Sequence, residues 1–105
     1  MKLKLTIADR ILIQELLPHQ GGRITMSLTR HLLDQVEFTP DEVSHLGLRD
    51  EGNGVVRWDT TKATVLEIDI TKETAELLRQ AVSRADREER VTLHMLPLID
   101  QIEAL

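Results

Sequence analysis

Four histidines, His19, His31, His45 and His94, are the side chains best suited to hold a metal ion or move a proton near neutral pH. None stands with a second histidine in an HExxH or HxH arrangement. His31 with Asp34, and Asp41 with His45, fall at the i, i+3 and i, i+4 spacings of a helix face, where such residues ordinarily make surface ion pairs. The chain has no cysteine, which removes thiolate ligands, a thiol nucleophile and any disulfide framework. Ser27, Ser44 and Ser83 lie in helical or helix-adjacent contexts without a GxSxG turn, and Ser44 beside His45 is no dyad, because helix neighbours point about 100° apart. Phosphate-cradling loops of the GxxxxGK[ST] or GxGxxG type are absent, and Gly52-Asn53-Gly54 leads into a strand pattern instead of a helix. Carboxylate pairs such as Glu88-Glu89, or Glu67 and Asp69, fall on exposed faces, where nothing would raise a pKa for acid catalysis. The residues therefore predict no catalytic, cofactor-binding or metal site and a protein that is not an enzyme.

Binding is the remaining chemistry, and charge and aromatics locate it. The net charge is −5, from 13 basic and 18 acidic residues, so phosphate neutralisation cannot drive general nucleic-acid binding. Residues 37–59 hold six acids against two arginines, so most of the excess is local. An acidic patch of this kind attracts a basic protein surface. Trp58 and Phe38 are the only aromatic residues, too few for single-strand stacking. Trp58 is either an interaction anchor or a buried strand residue, the second being the commoner fate. The candidate protein-interaction residues are accordingly Glu37, Asp41, Glu42, Asp50, Glu51 and Trp58. Arg23, Arg30, Arg49 and Arg57 are the alternative set, which would contact nucleic-acid phosphates if they converge.

The elements that must position these residues follow from periodicity and caps. From Thr6 to Leu17 the apolar residues Ile7, Ala8, Ile11, Leu12 and Leu16 keep helical spacing, with Thr6 as N-cap, Asp9 three residues on, and Pro18 as the stop. Thr25 is expected to cap a second helix carrying Leu28, Leu32, Leu33 and Val36 and ending near Glu37. Phe38-Thr39-Pro40-Asp41-Glu42-Val43 reads as a helix start: Thr39 caps, Pro40 takes the first position, Glu42 completes a capping box, and Phe38 and Val43 form a hydrophobic staple. Gly47 ends that helix early. Leu48-Arg49 and Val55 to Trp58 flank a turn at Asp50 to Gly54 and predict a hairpin. Leu66, Ile68 and Ile70 alternate with Glu67 and Asp69 as a half-buried strand, and Trp58 is expected to share its buried face. Thr71 caps a helix with Ala75, Leu78, Ala81, Val82 and Ala85 on one face. In the last stretch, Leu93, Leu96, Ile99 and Ile102 define a face in which Pro97 requires a kink or a late start.

With 105 residues, 41% of them hydrophobic and 30% charged, the chain is expected to form one globular domain over 1–105. The fold class is α+β: helices packed on a small antiparallel hairpin or meander sheet, with two C-terminal helices. A helix, the short Gly22-Arg23-Ile24-Thr25 stretch, two helices and a hairpin also follow the order of a winged helix, whose recognition helix here would present Asp41, Glu42, Ser44 and His45. No apolar run approaches a membrane span and Met1 to Ile7 lacks a signal-peptide pattern, so a cytoplasmic protein is expected. A homodimer is a further expectation, since sheet edges need covering and Leu93, Leu96, Leu98, Ile99 and Ile102 need burial.

Several pieces carry a resemblance across most of the chain: Leu16-Leu17-Pro18, Leu48-Arg49 with Glu51-Gly52, Val56-Arg57-Trp58, and the charged helix after Ile68-Asp69-Ile70. In this order they resemble small uncharacterised proteins of phages and prophages of about 100 residues. The resemblance implies a mobile-element origin and a cytoplasmic accessory role, of inhibitor, chaperone or adaptor type, and supplies no site residues. Binding of a protein partner is the expected function, with a winged-helix DNA binder as the alternative.

Overall fold

The computed structural model describes residues 1–62 and 64–105. The fold is α+β. Strand β1 (Lys2–Leu5) leads into α1 (Ile7–Leu16), α2 (Arg23–Val36) and α3 (Pro40–Leu46). The hairpin β2 (Arg49–Gly52) and β3 (Val55–Arg57) follows, then β4 (Leu66–Asp69), α4 (Lys72–Arg87) and α5 (Leu96–Glu103).

The caps fall largely where the sequence puts them. Thr6, Thr39 and Thr71 each accept a hydrogen bond from the backbone amide three residues on, and the capping boxes with Asp9 and Glu42 are complete. Gly47 takes a left-handed conformation, φ 64°, and ends α3. Pro97 sits in the first turn of α5, so that helix starts late, as the missing amide requires. Helix α2 departs from expectation: it begins at Arg23 with Gly22 as N-cap and no side-chain cap, two residues before Thr25. Arg23 to Thr25 is thus helical, and the Gly22–Thr25 stretch supplies no winged-helix strand.

Instead of one meander there are two separate two-stranded antiparallel sheets. β4 pairs with β1, Leu3 opposite Ile68 and Leu5 opposite Leu66, and the hairpin strands pair only with each other among the described residues. The Lys-Leu alternation of Lys2 to Leu5 is the signal for β1: its leucines are fully buried, while Lys2 bonds Glu67 at 3.0 Å on the wet face. Trp58 consequently does not share the buried face of Ile68 and Ile70. It follows a different sheet and is half-buried.

Each outer edge of the β1–β4 sheet is met by one side-chain amide. Gln101 of α5 accepts from the Lys4 amide at 2.5 Å and donates to the Lys4 carbonyl at 2.9 Å, taking the place of a further strand. Gln35 of α2 donates to the Asp69 carbonyl at 3.2 Å. Part of each edge is thus covered from within the chain. Of the five apolar residues that favour self-association on sequence grounds, Leu98, Ile99 and Ile102 pack in the chain's own core, and Leu93 and Leu96 stay exposed. Gln101→Ala is expected to cost about 1 kcal/mol, two hydrogen bonds at a partly wet edge. In a domain of this size that lowers the melting temperature by about 4–8 °C, read by thermal unfolding.

The core joins β1, β4, α1, α2, α4 and α5 around Leu3, Leu5, Ile13, Leu32, Leu78 and Leu98. On α1 the buried stripe is Ile7, Arg10, Ile13 and Leu16, one position round from the expected Ile11 and Leu12, which are half-buried. No described residue from Glu37 to Val65 is among the buried residues of this core cluster or the partly buried hydrophobic residues packed against it, and Leu46 is buried apart from it. α3 and the hairpin form an appended lobe. No helix among the described residues is long and apolar enough to cross a membrane.

Candidate surface of the α3–hairpin lobe

Arg10, a charged residue on the buried stripe of α1 and only 2% exposed, joins the lobe to the core. Its Nε donates to the Val36 carbonyl at 3.0 Å and its Nη2 to the Glu37 carbonyl at 2.8 Å, satisfying carbonyls at the C-terminus of α2. The remaining donors reach both Glu42 oxygens, Nη1 to Oε2 at 2.6 Å and Nη2 to Oε1 at 3.2 Å. The guanidinium also lies 4.0 Å from the centroid of the Phe38 ring. One planar fork therefore fixes the end of α2, the connection and the start of α3, a geometry a lysine could not reproduce. The Arg10 hydrogen bond, followed by that from the Thr39 amide, holds the Glu42 carboxyl down at about 2. Sequence reasoning missed Arg10, although its place three residues after Ile7 and three before Ile13 puts it on the apolar stripe.

The expected interaction residues do not form one free acidic patch. Glu42 is taken by Arg10, and Asp50 accepts from the Gly52 amide at 2.9 Å inside the hairpin turn. Glu51 lies 3.4 Å from Arg57 and 4.0 Å from Arg49. Glu37 and Asp41 are exposed and in no ion pair among the described residues. Asp59 is held by Thr61, whose hydroxyl donates at 2.6 Å and whose amide donates at 3.0 Å, and these bonds lower its pKa.

The alternative arginines divide into two pairs. Arg23 and Arg30 lie two turns apart on α2, both exposed. Arg49 and Arg57 are directly opposite in the hairpin register, and their side chains are 74% and 66% exposed.

The hairpin is tied back to α3 by backbone hydrogen bonds from Leu48 to Val43 at 3.1 Å and from Asp59 to Leu46 at 2.8 Å. Two open concavities flank it. The larger, about 690 Å³, is lined by Leu46, Gly47, Arg49, Val56, Arg57 and Trp58, together with Asp59 and Thr60. The smaller, about 280 Å³, runs between α1 and the lobe past Ile11, Phe38, Val43, Leu48 and Val56. No protein-family model, curated protein or solved structure matches the chain. The geometry thus stands by itself. It offers a half-buried tryptophan, a facing arginine pair and apolar side chains on a lobe outside the core. Among the described residues no group of three or more His, Asp and Glu side chains is placed to hold a metal ion.

Proposed function

We propose that the chain is a non-enzymatic protein-interaction module, an adaptor- or inhibitor-type accessory protein of phage or prophage origin that works in the cytoplasm through its α3–hairpin lobe. One observation carries the reading: the lobe contributes nothing to the core cluster, yet Arg10 holds it in a defined place. A two-stranded hairpin is at best marginally stable alone in water. One that is tied down without adding to the core is best explained by what its outer surface binds. Trp58 is the anchor of that surface, and Val43 and Val55 are exposed elsewhere in the lobe. Glu37 and Asp41 add its unengaged negative charge.

The test is capture of tagged protein from lysate of its own source, with and without nuclease. A stoichiometric, nuclease-resistant protein is expected, and Trp58→Ala should abolish its recovery while leaving the circular dichroism spectrum and melting temperature nearly unchanged. Recovery unaffected by Trp58→Ala, or no protein partner at all, would refute the reading.

A second reading, DNA binding, is favoured by the order of α2, a three-residue connection, α3 and hairpin. It expects duplex binding at low salt that weakens in Arg49→Ala and Arg57→Ala variants. The acids Asp41 and Glu42 on α3 oppose it, and absence of duplex binding at low salt would end it.

A further inference from the structure

The geometry points to the larger concavity beside the hairpin as the docking site for an acidic peptide segment of a partner protein, its carboxylates on Arg49 and Arg57 and an apolar side chain against Trp58 and Leu46. This rests on the interaction-module reading and names the partner's chemistry. Arg49 and Arg57 are direct cross-strand neighbours, an arrangement in which like charges destabilise a hairpin unless an anion lies between them. Among the described residues only Glu51 approaches both, at 4.0 and 3.4 Å, distances longer than those of a close charge-assisted hydrogen bond. Both guanidiniums are mostly exposed and retain donors for a further carboxylate. Asp59, the acid that lines the same concavity, accepts from the Thr61 hydroxyl and amide and lies 4.0 Å from Lys62, which offsets part of its charge.

The floor suits the other half of such a segment. Trp58 is half-buried, Leu46 is 2% exposed at the end of α3, and Gly47 puts no side chain in the way. Tryptophan and arginine are the residue types most enriched among interface hot spots. The chain's net charge of −5 disfavours a long polyanion such as duplex DNA more than a short acidic segment that meets the two arginines locally.

Trp58 is the only tryptophan, so its fluorescence reports on the concavity directly. The experiment selects a random displayed peptide library against the whole protein and titrates a synthetic copy of the recovered sequence while Trp58 emission is followed. Sequences with Asp or Glu beside a large apolar residue are expected. The synthetic peptide should shift Trp58 emission, and Arg49→Ala or Arg57→Ala should weaken binding by roughly tenfold. Glu51→Gln, which frees the two arginines, should tighten it, a gain that a purely structural role for Glu51 would not produce. Recovery of basic sequences, binding indifferent to both arginines, or weaker binding in Glu51→Gln would overturn the proposal. Basic sequences lost on Asp41→Lys would still leave the interaction-module reading standing. A DNA duplex that shifts Trp58 emission with the same arginine dependence would reassign the concavity to nucleic acid.

Discussion

Replacing Arg10 with methionine is expected to cost about 3–5 kcal/mol, the largest effect of any single polar substitution in the chain. Methionine fills similar space but supplies no donors. The carbonyl of Val36 would lose its partner in a buried setting, and the carbonyl of Glu37 and the carboxylate of Glu42 would lose theirs in a partly buried one. Leaving buried acceptors unsatisfied costs more than a hydrogen bond contributes when made. At about 4–8 °C per kcal/mol for a domain of this size, the melting temperature should fall by at least about 12 °C. Arg10→Lys keeps the charge without the fork and should fall between the two. Removing Glu42 as well should recover part of the loss, because a charge left alone is worse than no pair. A loss below about 1 kcal/mol for Arg10→Met, measured by denaturant unfolding, would mean that the lobe is held by something else.

The second large effect is on pH dependence. The Glu42 carboxyl titrates at about 2 in the folded chain against an ordinary value of 4.5. A depressed carboxyl stabilises the fold fully above its unfolded pKa, and that contribution is lost as pH falls through the folded one. Arg10–Glu42 stabilisation is therefore complete above about pH 5 and disappears progressively between about pH 4.5 and pH 2. With the Glu42 side chain 34% exposed, solvent screening reduces the effect to about 2 kcal/mol. Glu42→Gln should be less stable than the parent at pH 7 by about that amount, and the two should converge toward pH 2. Asp59 is shifted in the same direction in both proteins, so the difference between them isolates Glu42. A constant difference from pH 7 to pH 2 would contradict the assignment.

What was legible in the sequence was local. Thr6, Thr39 and Thr71 mark helix starts because a cap and its amide lie within three residues, and Ala75, Leu78, Ala81, Val82 and Ala85 mark one helix face by period alone. β1 escaped, although Lys2 to Leu5 alternate, because its partner lies more than sixty residues away and four residues of alternation do not specify one. For the same reason β4 was joined to the nearby hairpin, and Trp58 with it. Gln101 and Lys4 meet at a still longer separation. Arg10 and Glu42 were hidden by residue type. Charged residues are ordinarily solvated, and only the three-dimensional meeting of α1 with the α2–α3 connection turns Glu42 from a surface acid into an internal ligand of Arg10. The acidic excess of residues 37–59 is plain in the composition, but which of its members pair inside the lobe is not, and pairing leaves Glu37 and Asp41 as the unengaged ones among the described residues.

On the proposed reading the core carries most of the stability and the hairpin carries the binding, and one variant separates the two. Replacing Arg49 to Trp58 by a short Asn-Gly turn removes the hairpin, its two arginines and Trp58 while retaining Arg10, Glu42 and every residue of the core cluster. Its thermal unfolding and its capture of the nuclease-resistant partner are measured together. The expected result is a melting temperature within about 4–8 °C of the parent, equivalent to about 1 kcal/mol, with partner capture lost. Global unfolding would show the hairpin to be part of what holds the fold together, and undiminished capture by the folded variant would place binding elsewhere; either contradicts the division.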